Sequence, residues 1–169
     1  SLRVGDAEAQ ARSEVLLPVY LDTPVSSFGK SNASIFYDEN LLEFLDVTAG
    51  PLLAGKAFTY HESNGTISIR LEENVELNTT GGVLYYLHFR TADPPSTIRT
   101  PVQLLSWSFE EYCIIPITRD GSILIRARLV VLSCATSGPV ALSWDAQAGG
   151  YEPKNFDVSV TVYNAGSRQ

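Results

Sequence analysis

Few residues of this chain are spaced for chemistry. The two histidines, His61 and His88, stand far apart, with no Cys or His at the spacing a zinc ligand set requires, so no metal site is expected. Two carboxylate pairs, Glu72-Glu73 and Glu110-Glu111, offer the acid and base that a glycosidase needs. Neighbours along a strand, however, point to opposite faces, and solvated loop charges account for both pairs, so no catalytic residue is expected. Neither Gly81-Gly82 nor Gly149-Gly150 belongs to a phosphate-cradling pattern that opens a helix; both read as turns, and no cofactor is expected. Asp38, Glu39 and Asn40 form an oxygen-rich turn without EF-hand spacing, for which a turn cap is the simpler account than calcium. Trp107, Tyr112, Tyr60 and Phe109 could instead offer aromatic platforms to sugar rings, the reading of a carbohydrate-binding module. Strict alternation puts Trp107 on one face with Leu105 and Phe109, a grouping more typical of a core.

Composition narrows the partners. The 169 residues carry a net charge of −7, which repels a phosphate backbone or an anionic membrane surface and argues against nucleic acid as partner. With 44% apolar and 18% charged residues the chain is expected to fold. No apolar run reaches the roughly 18 residues of a membrane span, so no membrane insertion is expected. The absence of Met, even at position 1, is expected of a piece cut from a longer polypeptide. Cys113 and Cys134 could close a disulfide in an oxidising compartment, contributing about 3 kcal/mol in a chain-entropy account, or sit as two separate buried thiols. Three Asn-x-Ser/Thr triplets, at Asn32, Asn64 and Asn78, arise easily by chance and carry no functional weight in sequence alone.

The elements that must position these residues are strands. From Glu14 to Arg126 apolar residues recur at every second position between Gly, Pro and Asn turns. Strands are expected at Leu2–Gly5, Glu14–Asp22, Lys30–Tyr37, Leu41–Thr48, Ala57–Glu62, Thr66–Glu72, Val83–Thr91, Val102–Phe109 and Ser122–Ala127. Pro18, lacking an N–H, is expected to mark an edge strand or a bulge. Asn64-Gly65 suits the positive φ angles of a tight hairpin, after which Ile67, Ile69 and Leu71 point inward and Thr66, Ser68, Arg70 and Glu72 outward. Without a convincing helix, about nine strands of this kind make an all-β, antiparallel sandwich of jelly-roll type over residues 1–127.

Beyond Arg128 the pattern changes. Strands are expected at Leu129–Ser133, Val140–Trp144 and Asn155–Tyr163, with Gly149–Pro153 as a loop. Three strands do not close a sandwich, so residues 128–169 are expected to begin a second β domain or to dock onto a neighbour, including a second copy of the chain.

The order of elements resembles the cohesin family, the jelly-roll modules that hold dockerin modules. The likeness rests on Val15-Leu16-Leu17-Pro18-Val19; on Tyr37-Asp38-Glu39-Asn40-Leu41-Leu42-Glu43-Phe44; on Gly82-Val83-Leu84-Tyr85-Tyr86-Leu87-His88-Phe89; and on the turn Asp120-Gly121-Ser122-Ile123. Glu39 stands where the family's segment has Pro, and Lys30 and Asn32 stand where its strand carries an Asn and an Asp that contact dockerin. The resemblance implies a non-catalytic, secreted or cell-surface module that binds a dockerin-like partner through one outer sheet face. Lys30, Asn32, Ser34, Phe36, Ser68 and Arg70 would form the contact, with Phe36 as apolar anchor. A carbohydrate-binding module and a structural spacer of a large surface protein are the competing readings.

Overall fold

The computed structural model describes residues 1–23, 25–79, 81–110, 116–128, 132–137, 143–147, 149–152 and 159–164, and the chain divides into two compact units, Ser1–Arg128 and Leu129–Gln169. Alternation builds the first unit as a two-layer sandwich. One sheet runs in the order Thr118–Arg119 (β12), Leu2–Val4 (β1), Glu14–Leu21 (β3), Gly82–Thr91 (β10) and Leu42–Ala49 (β6). The other runs Asp6–Gln10 (β2), Gly121–Arg126 (β13), Ile98–Phe109 (β11), Ser31–Tyr37 (β5), Thr66–Leu71 (β8) and Phe58–Ser63 (β7). A separate pair joins Val25–Phe28 (β4) to Val75–Thr79 (β9). Pairing is antiparallel except that β1 runs parallel to β12 and β2 parallel to β13, so the sheets are mixed rather than wholly antiparallel. The short strands β2, β4, β9 and β12 raise the number above the expected nine, because brief polar segments such as Asp6–Gln10 carry no periodic signal.

The inner faces meet in one apolar core. Leu17, Val19, Leu87 and Phe89 of the first sheet and Ile35, Ile67, Ile69, Leu71, Val102, Ile123 and Ile125 of the second are buried, each such side chain contributing roughly 1.5–3 kcal/mol. Rings cross the interface: Tyr37 lies 5.2 Å from Phe89, and Tyr85 6.3 Å from Trp107, centroid to centroid.

Within the two main sheets three places depart from strict alternation, and each is a one-residue bulge. β11 shifts register against β5 between Leu104 and Ser106, β10 against β3 between Val83 and Tyr85, and β6 against β10 across the step from Asp46 to Phe44. An inserted residue reverses which parity points inward. Leu84 and Tyr85 are therefore both buried, and Trp107 is buried while Leu105 faces out, so the two do not share a face.

Pro18 corrects another expectation. β3 is an interior strand between β1 and β10. Pro18 escapes the usual penalty because β1 ends beside it: the Gly5 N–H donates to the Pro18 carbonyl at 2.7 Å, while the Gly5 carbonyl accepts from the Ser122 N–H of the other sheet at 3.3 Å. No ladder acceptor is left facing the missing donor.

Two turns behave as the residue types require. Asn64 (φ 50°) and Gly65 (φ 70°) close the β7–β8 hairpin. Asp38 caps its own turn, its Oδ1 accepting from the Asn40 N–H at 2.9 Å, which is the turn-cap reading rather than a calcium loop.

In the second unit Leu132–Ser137 (β14) pairs with Ser159–Asn164 (β17), and Ser143–Asp145 (β15) with Gly150–Glu152 (β16). Gly150–Glu152 is thus paired strand where a loop was expected, its residues in backbone register with Ser143–Asp145. Cys113, and with it the question of a disulfide to Cys134, lies outside the described residues, as do Glu111 and Tyr112.

Candidate functional site

The outer face of the six-stranded sheet is built by the residues that alternate with its core. On β5, Ala33, Ile35 and Tyr37 point inward, so Asn32, Ser34 and Phe36 point outward. Cross-strand register then sets their neighbours: Asn32 lies between Arg70 of β8 and Ser108 of β11, Ser34 between Ser68 and Ser106, and Phe36 between Thr66 and Gln103. One strand further, Thr59 and His61 of β7 stand opposite Arg70 and Ser68. Asn32, Ser34, Thr59, His61, Ser68 and Ser106 line a shallow depression of about 520 Å³, with Arg70 and Ser108 at one end. Five of the six residues expected from sequence are thereby brought onto one surface. Lys30 stands just before β5, its N–H donating to Asn74 Oδ1 at 2.9 Å and its carbonyl accepting from the Glu110 N–H at 3.0 Å.

Phe36 is 38% exposed, and Leu105 joins it at 59%. Leu105 is the residue that reasoning from strict alternation missed, because alternation turned it toward the core. The signal was nonetheless present: bulky apolar residues change parity from Val102 and Leu104 to Trp107 and Phe109, and only a bulge lets both pairs face inward. Asp120 fixes that distortion. β13 stops pairing at Gly121 opposite Val102, and Asp120 Oδ1 accepts the Leu104 N–H at 2.9 Å in place of a ladder carbonyl.

Arg70 and three carboxylates around the face are engaged. Arg70 Nη2 meets Glu110 Oε1 at 3.0 Å, and Arg70 Nε meets Glu72 Oε2 at 3.6 Å. Glu73 Oε1 accepts the Ala57 N–H at 3.0 Å. These carboxylates act as strand-end fasteners. The tip of the β7–β8 hairpin is tied to β5 by Glu62, whose Oε1 accepts from the Tyr37 hydroxyl at 3.0 Å and the Gly65 N–H at 3.2 Å. Burial, and then the Glu62 carboxylate, push the Tyr37 phenol well above its ordinary range, so it stays a donor.

On the opposite sheet His88 is half-buried between Glu14 (Nε2–Oε2 3.2 Å) and Asp46 (Nδ1–Oδ1 3.5 Å), beside the ion pairs from Arg90 to Glu14 and Glu43. Among the aromatic residues considered as sugar platforms, Trp107 is 5% exposed and in the core, Phe109 packs against that core, and Tyr60 is exposed at the β7 edge, where its ring meets Phe44 at 5.8 Å. Three rings do not form an open platform. Among the described residues no cluster of three or more His, Cys, Asp or Glu could hold a metal ion, and no helix is long and apolar enough to cross a membrane.

Comparisons with known proteins bear on the fold. No curated protein matches by sequence. Among solved structures, the chain is similar to a non-cellulosomal cohesin from the hyperthermophilic archaeon Archaeoglobus fulgidus, with 22% identity and a TM-score of 0.61, over 75% of this chain and 91% of that one. It is similar to the sixth cohesin of scaffoldin B from Acetivibrio cellulolyticus, solved in complex with a dockerin, with 17% identity and a TM-score of 0.66 over 75% and 98% of the two chains. A type I cohesin–dockerin complex from Clostridium thermocellum matches with 16% identity and a TM-score of 0.63, over 74% and 97%. A family model, the cohesin domain, matches residues 1–105. That match spans most of the sandwich and includes β5 and β8, and the chain accordingly belongs to the cohesin domain family.

Proposed function

We propose that the first unit is a non-catalytic protein-interaction module that binds a dockerin-like partner through the outer face of its six-stranded sheet. Phe36 and Leu105 serve as apolar anchors, and Asn32, Ser34, Ser68 and Arg70, with Lys30 at the rim, supply hydrogen bonds. The observation that carries this reading is the pairing of two exposed apolar side chains with a hydroxyl- and amide-lined depression on a rigid sheet, in a chain of the cohesin family. Solved relatives from Acetivibrio cellulolyticus and Clostridium thermocellum were captured with dockerins, which supports the same class of partner here. The mechanism is preorganisation: a sheet already fixed by its ladders loses little entropy on docking, so a modest apolar patch with polar surroundings suffices. Such a module belongs in a secreted or cell-surface scaffold, and residues 128–169 are read as the start of a second β domain or a docking extension.

Calorimetric titration of the chain with a panel of dockerins tests the proposal. Saturable binding that weakens at least tenfold in Phe36→Ala and in Leu105→Ala supports it. Absence of binding at high micromolar concentration, or binding indifferent to both substitutions, overturns it.

A further inference from the structure

The Asn-x-Ser/Thr triplets acquire meaning once they are placed in the fold. Asn32-Ala33-Ser34 lies in the middle of β5, where Asn32 is exposed, faces outward between Arg70 and Ser108, and lines the depression. Asn64-Gly65-Thr66 lies at the tip of the β7–β8 hairpin, with Asn64 exposed at φ 50°. The first of these occupies the centre of the docking face and the second projects from its end; the third, Asn78-Thr79-Thr80, runs beyond the described residues.

We propose that Asn32 is an N-glycan acceptor whose glycan closes the docking face, whereas a glycan on Asn64 leaves that face open; the closing effect rests on the docking reading above. In the transfer, Asn32 Nδ2 bonds to the anomeric carbon of an oligosaccharide, the bond from that carbon to the pyrophosphate of a polyprenyl-linked donor breaks, and one Nδ2 proton is lost. β5 is paired on both sides, with β8 and β11, so transfer takes place on the extended chain before the sheet closes. The folded unit accommodates the product, because Asn32 points to solvent and no core residue is displaced. A docked partner does not. Contact requires heavy atoms within about 4–4.5 Å, and a sugar ring standing on the middle strand fills that gap.

The test uses one sequence made in an exporting host with and without an oligosaccharyltransferase. An Asn64→Asp/Asn78→Asp chain, in which Asp tolerates the left-handed turn, leaves Asn32 as the remaining acceptor. Peptide mass spectrometry reads occupancy, and calorimetry against a panel of type I dockerins reads binding. The expected result is occupied Asn32, with the glycosylated chain binding at least a hundredfold more weakly than the unmodified form of the same chain. Unoccupied Asn32 in a wild-type chain modified at Asn64, or an Asn32 glycoform that binds like the unmodified chain, overturns the proposal. If the unmodified chain binds no dockerin, the docking reading fails and takes the closing effect with it, while the acceptor assignment is decided by occupancy alone.

Discussion

Phe36 and Leu105 illustrate how little stability an exposed anchor needs to carry. Neither belongs to the buried core, so truncation to Ala is expected to move the thermal midpoint by no more than a surface change does, within about ±0.5 kcal/mol, while each costs about 2 kcal/mol of dockerin binding. Thermal melts beside titrations separate the two effects. Gly121 is the contrasting case. A β-carbon there would lie 2.0 Å from the Gly5 carbonyl oxygen, backbone against backbone, where the chain crosses between sheets. Gly121→Ala is expected to destabilise the unit by more than about 2 kcal/mol, read by chemical denaturation. Its neighbour acts through a hydrogen bond: Asp120→Ala strands the Leu104 N–H and is expected to cost about 1–3 kcal/mol, and, by loosening the bulge, to weaken dockerin binding as well.

At the scale of elements, the hairpin and the bulges show where local chemistry suffices and where it does not. Asn64-Gly65 specifies its turn because few other residues accept φ near +50° and +70° in succession. Gly65→Ala adds left-handed strain of about 1–2 kcal/mol and a β-carbon that would meet the Tyr37 carbonyl oxygen at 2.8 Å, so a loss of at least 2 kcal/mol is expected in denaturant titration. The strands β3, β5 and β8 were legible because their alternation is unbroken. β10 was legible from Tyr85 onward, with Tyr85, Leu87 and Phe89 inward, but the facing of β11 was not, since a bulge changes parity at one residue and only the partner strand reveals which. Pro18 was misread for the same kind of reason: its lost donor is harmless only because Gly5 turns its carbonyl to the other sheet.

For the whole molecule, charge enters through strand-to-strand ion pairs. A hydrogen bond from Arg126 holds Glu8 below the ordinary carboxylate range, and one from Arg90 does the same for Glu14. A carboxylate depressed in the folded state adds stability that is present above its unfolded pKa, roughly 4.3, and lost as pH falls through the folded value. The thermal midpoint is therefore expected to fall below about pH 4.5, and the fall to be shallower in Glu8→Gln and Glu14→Gln; equal acid slopes in all three chains would refute this. What the amino-acid order determined unaided was the sandwich and its inward set: period-two burial is a local property, and Ile67, Ile69 and Leu71 carry it whatever surrounds them. Which residues share the outer surface was decided only by tertiary pairing. Leu105 reaches Phe36's face through a bulge held by Asp120, and Asn32 meets Arg70 and Ser108 through register between strands distant in the chain. Such neighbours are fixed by ladders that no stretch of sequence contains, because hydrogen bonds between strands form only when both are present.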